Sequence, residues 1–214
     1  MPRRSRRVGR APGSYRRHAP KREPYDGVLI ACEGAKTERN YFTRMREVYR
    51  LSSANIEVTP ANGSDPMSIV TYAEKRRGEF DRVYCVFDRN RHQNYDAALR
   101  RIANTNGYGK LVAITSWPCF EFWILLHFKY SSAAFGTSGG RSPCSNVIVE
   151  LKNHIPTYSK GHASIFDDLI PHSQIALQNA KRLASDNAAT GSNNPSTKVH
   201  KLVEYLAKLR ATDV

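Results

Sequence analysis

Two carboxylates each follow a short apolar run that has the composition of a buried strand. Glu33 comes directly after VLIAC (28–32), and Asp88 comes directly after RVYCVF (82–87). If the two runs are neighbouring parallel strands, both acids lie at the same edge of the sheet, where open parallel sheets bind their ligands. Oxygen ligands gathered from different strands suit a divalent cation, and Mg²⁺ retains several waters, so few protein ligands suffice. The spacing therefore predicts a metal site at this edge.

Each of these acids also has a simpler interpretation. A polar residue often ends a strand, and an acidic residue often caps the following helix. The pair together favours a functional role, because the chain carries a net charge of +14. Acids without a function at the cleft of a basic protein would only repel the anion that the protein attracts, so their presence there indicates that they are needed.

The excess of positive charge indicates a polyanionic partner. Nucleic acid is the commonest polyanion, and a charged membrane surface is the competing partner. Residues 1–24 contain eight arginines and one lysine against one glutamate, and they have few apolar side chains. This composition predicts a flexible basic arm. The arm either binds nucleic acid through arginine–phosphate contacts or only aids solubility. The candidate contacts are its first arginines: Arg3, Arg4, Arg6 and Arg7.

The sequence favours a cytoplasmic protein that does not enter a membrane. It contains no run of 18 or more apolar residues, and no apolar segment follows the N-terminal arginines as in a secretory signal. The four cysteines are widely separated, without a C-x-x-C pair and without histidines at the spacing of a zinc site. We therefore expect reduced, buried thiols.

Strand-like and helix-like segments alternate from residue 27 onward, which predicts an α/β fold with a mainly parallel sheet flanked by helices. The predicted strands are 28–32, 55–60, 82–87 and 111–115. The predicted helices in this part are 37–51, 65–77, 93–104 and 118–128. Asp65 and Pro66 form a typical start for the second helix, as N-cap and first helical residue.

The second part of the chain predicts a helical C-terminal extension over residues 131–214, after a core over 25–130. It begins with a Gly-rich segment, 131–146, which is either a spacer or a loop that orders on substrate. Helices are expected near 162–170 and 173–186. A closing helix should follow Ser196 as its N-cap.

Four segments in this order resemble the signature blocks of the RloB-like family, which includes the abortive-infection proteins called AbiLii. The blocks are CEGAKTERNYF (32–42), VFDRNRH (86–92), PCFEFWILLHF (118–128) and NPSTKVHKLVEYL (194–206). The family is similar in turn to Toprim domains, so the resemblance implies a Toprim/Rossmann-like sheet. Toprim enzymes place a Glu after the first strand and Asp-x-Asp after a later one.

The resemblance implies a role for each acid and a Mg or Mn cofactor. Glu33 matches the Toprim glutamate, a general acid or base, and it is also a candidate metal ligand. Asp88 matches the first aspartate, a metal ligand. The third position is Asn90, which departs from the pattern. Its amide oxygen can bind Mg²⁺ but brings no charge, so the affinity for metal should fall or another group must help. Glu121 is the candidate for that help, although first-turn stabilisation of a helix would also explain it.

Basic residues cluster around the same predicted edge. Lys36, Arg89 and Arg91 would hold a phosphate or stabilise charge that develops on it. A solvated basic rim is the alternative. Lys160, in the segment YSKG, is a further candidate contact to nucleic acid.

Three more residues lie in the matched blocks. Glu38 is either part of the site or a capping residue of the first helix. His92 is a further candidate member of the site. His127 lies in a very apolar segment, which favours a buried histidine of the core.

The resemblance implies a metal-dependent nuclease that acts in antiphage defence, on DNA or on RNA such as transfer RNA, together with an ATPase of the AAA or ABC kind. Two alternatives stay open. In one, the domain binds nucleic acid without cleaving it, which the uncharged Asn90 favours. In the other, the chain is a regulatory subunit of an ATPase-containing defence complex.

Overall fold

The computed structural model describes residues 26–34, 36–53, 55–61, 63, 65–89 and 92–211. The predicted basic arm, with its four candidate arginines, lies outside the described residues. Asn90 and Arg91 lie outside them as well.

In the part of the chain that the structure describes, five strands form one sheet in the order β2-β1-β3-β4-β5. The strands are β1 (Val28–Cys32), β2 (Ile56–Pro60), β3 (Arg82–Asp88), β4 (Lys110–Trp117) and β5 (Ser196–Thr197). The first four are parallel, and β5 runs antiparallel to β4. The predicted α/β class is confirmed, because the four apolar segments all form strands of a mainly parallel sheet.

Within the described ranges, eight α-helices accompany the sheet: α1 (Thr37–Val48), α2 (Pro66–Arg76), α3 (Tyr95–Ala103), α4 (Glu121–Leu125), α5 (Pro143–Leu151), α6 (Ile165–Leu169), α7 (Ser173–Thr190) and α8 (Val199–Ala211). Single 3₁₀ turns follow α2 and α6. The predicted start of α2 is confirmed: the Asp65 carboxylate accepts hydrogen bonds from the backbone N–H groups of Met67 and Ser68.

The central strands β1 and β3 are buried on both faces, which explains why their segments are almost continuously apolar. One core contains Val28, Ile30 and Cys32 of β1, together with apolar side chains of α1, α4 and α8. The other contains Leu29 and Ala31, with side chains of α2 and α3. Because β5 and α8 join the sheet and its larger core, residues far beyond 130 help to position the strand ends.

Three local predictions were wrong. The helix expected over 118–128 is regular only over Glu121–Leu125, although its segment is buried as predicted. The last four residues of the Gly-rich segment already belong to α5, with Ser142 as N-cap. Ser196 does not cap the closing helix, because it pairs with Trp117 as the first residue of β5.

The expectation of reduced thiols was also wrong for two of the four cysteines. Cys119 and Cys144 form a disulfide, with their Cα atoms 5.6 Å apart. They meet because Cys119 precedes α4 and Cys144 lies in the first turn of α5, and these two helices pack together. Cys32 and Cys85 are free and buried. Within the described part of the chain, no helix has both the length and the apolar composition needed to cross a membrane.

Candidate active site

The parallel pairing of β1 with β3 brings Glu33 and Asp88 to one edge of the sheet. In this register Cys32 lies beside Val86, and each acid follows within two residues of that pair. The Glu33 Oε2 atom accepts a hydrogen bond of 3.0 Å from the backbone N–H of Asp88. The two predicted acids are therefore direct neighbours, as their positions after two apolar runs indicated.

Glu33 also contacts a histidine. Its Oε1 atom lies 2.8 Å from Nε2 of His92, on the connection from β3 to α3. Burial raises the pKa of Glu33, while the Asp88 N–H and His92 both act to lower it. The carboxylate is 13% exposed, so it is shielded and oriented but still reaches solvent.

Asp88 is almost fully buried at the end of β3, with 8% exposure. It accepts a hydrogen bond from the backbone N–H of Phe120. Burial raises its pKa well above the usual range, and the charges of Glu38, Glu121 and Glu33 raise it further. Four carboxylates thus act on one another at this edge.

Glu38 belongs to this group and not to the exposed surface of α1. It is 8% exposed, and its carboxylate packs so closely on Gly34 that a side chain at position 34 would overlap with it. Burial raises its pKa to about 7, and repulsion from Glu121 and Glu33 contributes. The sequence left open whether Glu38 belongs to the site or caps the first helix. In the structure, its side chain lies among the other acids.

Glu121, the first residue of α4, is 2% exposed and has two polar partners from a distant loop. The Tyr158 hydroxyl donates to its Oε1 atom at 3.2 Å, and the Lys160 Nζ atom lies 3.5 Å from the same oxygen. Burial, and next the charge of Glu121, raise the pKa of Tyr158, so it stays a neutral donor. Lys160 is therefore a partner of the acidic group.

The loop that carries Tyr158 and Lys160 is held against the start of α1. The Gly161 N–H donates to Thr37 Oγ1 at 3.0 Å, and the Asn40 side-chain amide donates to the Gly161 carbonyl at 2.9 Å. Gly161 has a φ of +84°, which favours glycine. Sequence reasoning noted only Lys160 here, because the pairing spans more than 120 residues and leaves no local pattern.

Of the other predicted basic residues, the structure describes Lys36 and Arg89. Lys36 is exposed at the start of α1, next to Gly161. Arg89 lies over the rings of Trp117 and Tyr95, with its guanidinium carbon 3.9 and 5.3 Å from their centroids. Its side chain therefore contacts an aromatic surface and forms no ion pair with the acids.

The donor set fits a hard divalent cation, which the four acids would hold partly through water. We refer to Glu33, Glu38, Asp88 and Glu121 as the acidic cluster. Among the described residues, the only three ligand atoms within 4.8 Å of one another belong to Cys119, Glu121 and Cys144, and the two sulfurs form the disulfide. No three acids are that close, which is compatible with Mg²⁺, because this ion keeps several of its waters.

His127 lies outside the acidic cluster. It is 1% exposed, and its Nδ1 atom lies 3.1 Å from the Trp123 carbonyl oxygen. Burial lowers its pKa to about 4. The prediction of a core histidine is confirmed.

Comparison with known proteins gives one match. A family model described as RloB-like protein matches residues 28–206, from β1 into α8. No curated protein and no solved structure matches the chain. All four acids, His92 and Lys160 fall within the matched range.

Proposed function

Because the chain belongs to the RloB-like family, we propose that it is a Toprim-like, metal-dependent nuclease that hydrolyses phosphodiester bonds in nucleic acid. The observation that carries this proposal is the acidic cluster: four carboxylates, three of them buried, at the carboxyl edge of a parallel sheet. Ligands of open α/β sheets bind at this edge. The net charge of +14 supports a polyanionic substrate.

The electrostatics of the acidic cluster support a cation there. Burying like charges together is unfavourable, and it raises the pKa values of Asp88 and Glu38. Lys160 offers one compensating charge, at Glu121, and it is 57% exposed. A bound Mg²⁺ or Mn²⁺ would offset the remaining repulsion, polarise the substrate phosphate and stabilise the charge that develops on it.

Glu33 is suited to move the proton. In hydrolysis, water attacks phosphorus and passes a proton to Glu33, the bond from phosphorus to the leaving oxygen breaks, and the leaving oxygen takes up a proton from solvent. The raised pKa of Glu33 brings it closer to neutral pH, where a general base works best. His92 fixes the orientation of one carboxylate oxygen and the Asp88 N–H fixes the other. Lys160 is positioned to contact the phosphate.

The direct test is cleavage of labelled RNA and DNA by the purified chain, in Mg²⁺, Mn²⁺ or EDTA. We expect metal-dependent cleavage that is lost in Glu33→Gln and Asp88→Asn. Glu47→Gln is the matched control, because Glu47 is an exposed acid on α1 that pairs with Arg44 on the surface. Cleavage that persists in Asp88→Asn, or in EDTA, would contradict the proposal.

A non-catalytic subunit is the second candidate, and one observation favours it. The sequence has Asn90 at the position of the second Toprim aspartate, and this residue brings no charge to a metal. In this case the chain would bind nucleic acid but not cut it under any metal condition, alone or with an ATPase. Binding without cleavage in the same assay identifies this outcome.

The family membership also supports a cellular setting. We propose a role in antiphage defence with an AAA- or ABC-type ATPase as partner, which co-purification with the product of a neighbouring ATPase gene would test. We further propose that residues 1–24 contact the nucleic acid. Deleting them should weaken binding and reduce its dependence on salt concentration, because fewer counterions are released. An unchanged salt dependence would refute the role of this segment.

A further inference from the structure

A cavity of about 440 Å³ lies beside the carboxyl ends of β3 and β4, and none of the four acids lines it. One wall is formed by Arg89, directly after β3, and by residues of β4 and α3. The other is formed by α7, by the segment that joins it to α8, and by the first residues of α8. Its size is within the range of small-molecule sites. The residues that give it chemical character are Arg89, Tyr95, Trp117, Lys198, His200 and Lys201.

The first wall is a flat surface of π-systems. The Arg89 guanidinium lies over the Trp117 ring at 3.9 Å and over the Tyr95 ring at 5.3 Å. The Arg89 backbone N–H donates to the Ser116 carbonyl at 2.8 Å, which fixes the chain here. Arg89 takes part in no ion pair among the described residues. A guanidinium held in this way offers both a planar surface and a charge to a nucleobase or a phosphate.

The second wall is the start of α8. Lys198 and Lys201 line the cavity, and neither forms an ion pair within the described ranges. The first N–H groups of a helix of 13 residues add partial positive charge at the same place. Partial burial, and next the charge of Lys201, lower the pKa of Lys198. An anion in the cavity would relieve that repulsion.

His200 lines the same part of the cavity, next to the two lysines, and it is 4% exposed. Its ring forms a hydrogen bond with the Thr197 backbone. Asp96 also lines the cavity. Its carboxylate suits a hydrogen-bond donor, such as a base amine, better than a second phosphate.

We propose that this cavity binds one nucleotide, with its phosphate at the start of α8 beside Lys198 and Lys201. The base would lie against the Arg89–Trp117 surface. The nucleotide is either free or one unit of a single strand, since both present the same groups. This site does not depend on the acidic cluster or on the proposed cleavage.

Binding is measured in EDTA with the full chain carrying Asp88→Asn, so that cleavage does not interfere. The probes are adenosine 5′-monophosphate and a labelled single-stranded oligonucleotide. The chain has two tryptophans. Trp123 is 1% exposed, so quenching by a ligand at the cavity should come from Trp117 and disappear in Trp117→Phe.

We expect the double variant Lys198→Gln, Lys201→Gln to bind at least tenfold more weakly. Lys208→Gln, in the last turn of the same helix, should bind as before. Arg89→Lys keeps the charge but loses the planar stack, and we expect weaker binding with unchanged thermal unfolding. If the double variant weakens binding of adenosine 5′-monophosphate, the cavity is a site for a free nucleotide. If it weakens binding of the oligonucleotide alone, the cavity is a site for one unit of a single strand. The absence of binding of both probes, or binding that the double variant leaves unchanged, would overturn the proposal.

Discussion

Replacing Glu38 by glutamine should stabilise the chain at alkaline pH. The pKa of Glu38 is about 7, against 4.5 for an unperturbed glutamate, because the side chain is buried and Glu121 and Glu33 repel its charge. At 1.36 kcal/mol for each pH unit, this difference corresponds to about 3 kcal/mol. Glutamine has nearly the same shape and removes the charge, so the variant avoids that cost.

The sign follows from the direction of the pKa change. The folded chain holds the Glu38 proton more tightly than the unfolded chain does. Below pH 4.5 the carboxyl is neutral in both states and costs nothing. As the pH rises from 4.5 to about 7, the unfolded chain loses its proton first and the folded state is progressively destabilised. The difference between variant and wild type should therefore grow over this interval and then stay constant.

The assay is urea-induced unfolding in EDTA at pH 5, 6, 7 and 8. We expect Glu38→Gln to gain about 3 kcal/mol in the free energy of unfolding, relative to wild type, between the lowest and the highest pH. For a chain of this size that gain corresponds to about 6 to 12 °C in Tm. Glu47→Gln, an exposed acid on the same helix, should show no such trend. A pH-independent difference between Glu38→Gln and wild type would refute the argument that Glu38 is buried among like charges.

Three further predictions concern other parts of the chain. His92→Gln should reduce the rate of cleavage at least tenfold without changing the unfolding midpoint, because Glu33 loses the partner that orients its carboxylate. Full activity in this variant would contradict the orienting role of His92. The double variant Cys119→Ser, Cys144→Ser should lose about 2 to 4 kcal/mol in the free energy of unfolding in non-reducing buffer, because the disulfide is absent. In reductant, the variant and the wild type should be equally stable. A difference that persists in reductant would show that packing, and not the disulfide, is responsible. Asp65→Ala should cost about 1 kcal/mol in urea unfolding, because two first-turn N–H groups of α2 lose their acceptor, and an unchanged midpoint would argue against the cap.

Much of the sheet could be predicted from local patterns. Continuous apolar segments such as VLIAC indicate strands buried on both faces, and the helices between them require parallel crossovers. Parallel strands end at one edge, so the proximity of Glu33 and Asp88 followed from their positions alone. Glu38 and Glu121 were harder to place, because an acid in the first turn of a helix has an ordinary explanation as well.

The remaining contacts depend on tertiary packing that no local pattern records. The loop with Tyr158 and Lys160 reaches Glu121 because Gly161 is held by α1, more than 120 residues earlier in the chain. Ser196 looked like a helix cap because a two-residue strand is too short to show alternation. The cavity beside Arg89 combines residues from both halves of the chain, so its aromatic and basic walls could not be related in advance.

The position of α8 has a consequence for synthesis on the ribosome. The Tyr205 hydroxyl donates to the Asp26 carboxylate at 3.0 Å, and Leu202 and Leu206 pack in the same core as Val28. Part of the apolar face of β1 therefore stays exposed until α8, which contains almost the last described residues, has left the exit tunnel. A nascent chain would expose this apolar face until α8 has been synthesised, so a chain truncated before α8 should be prone to aggregate.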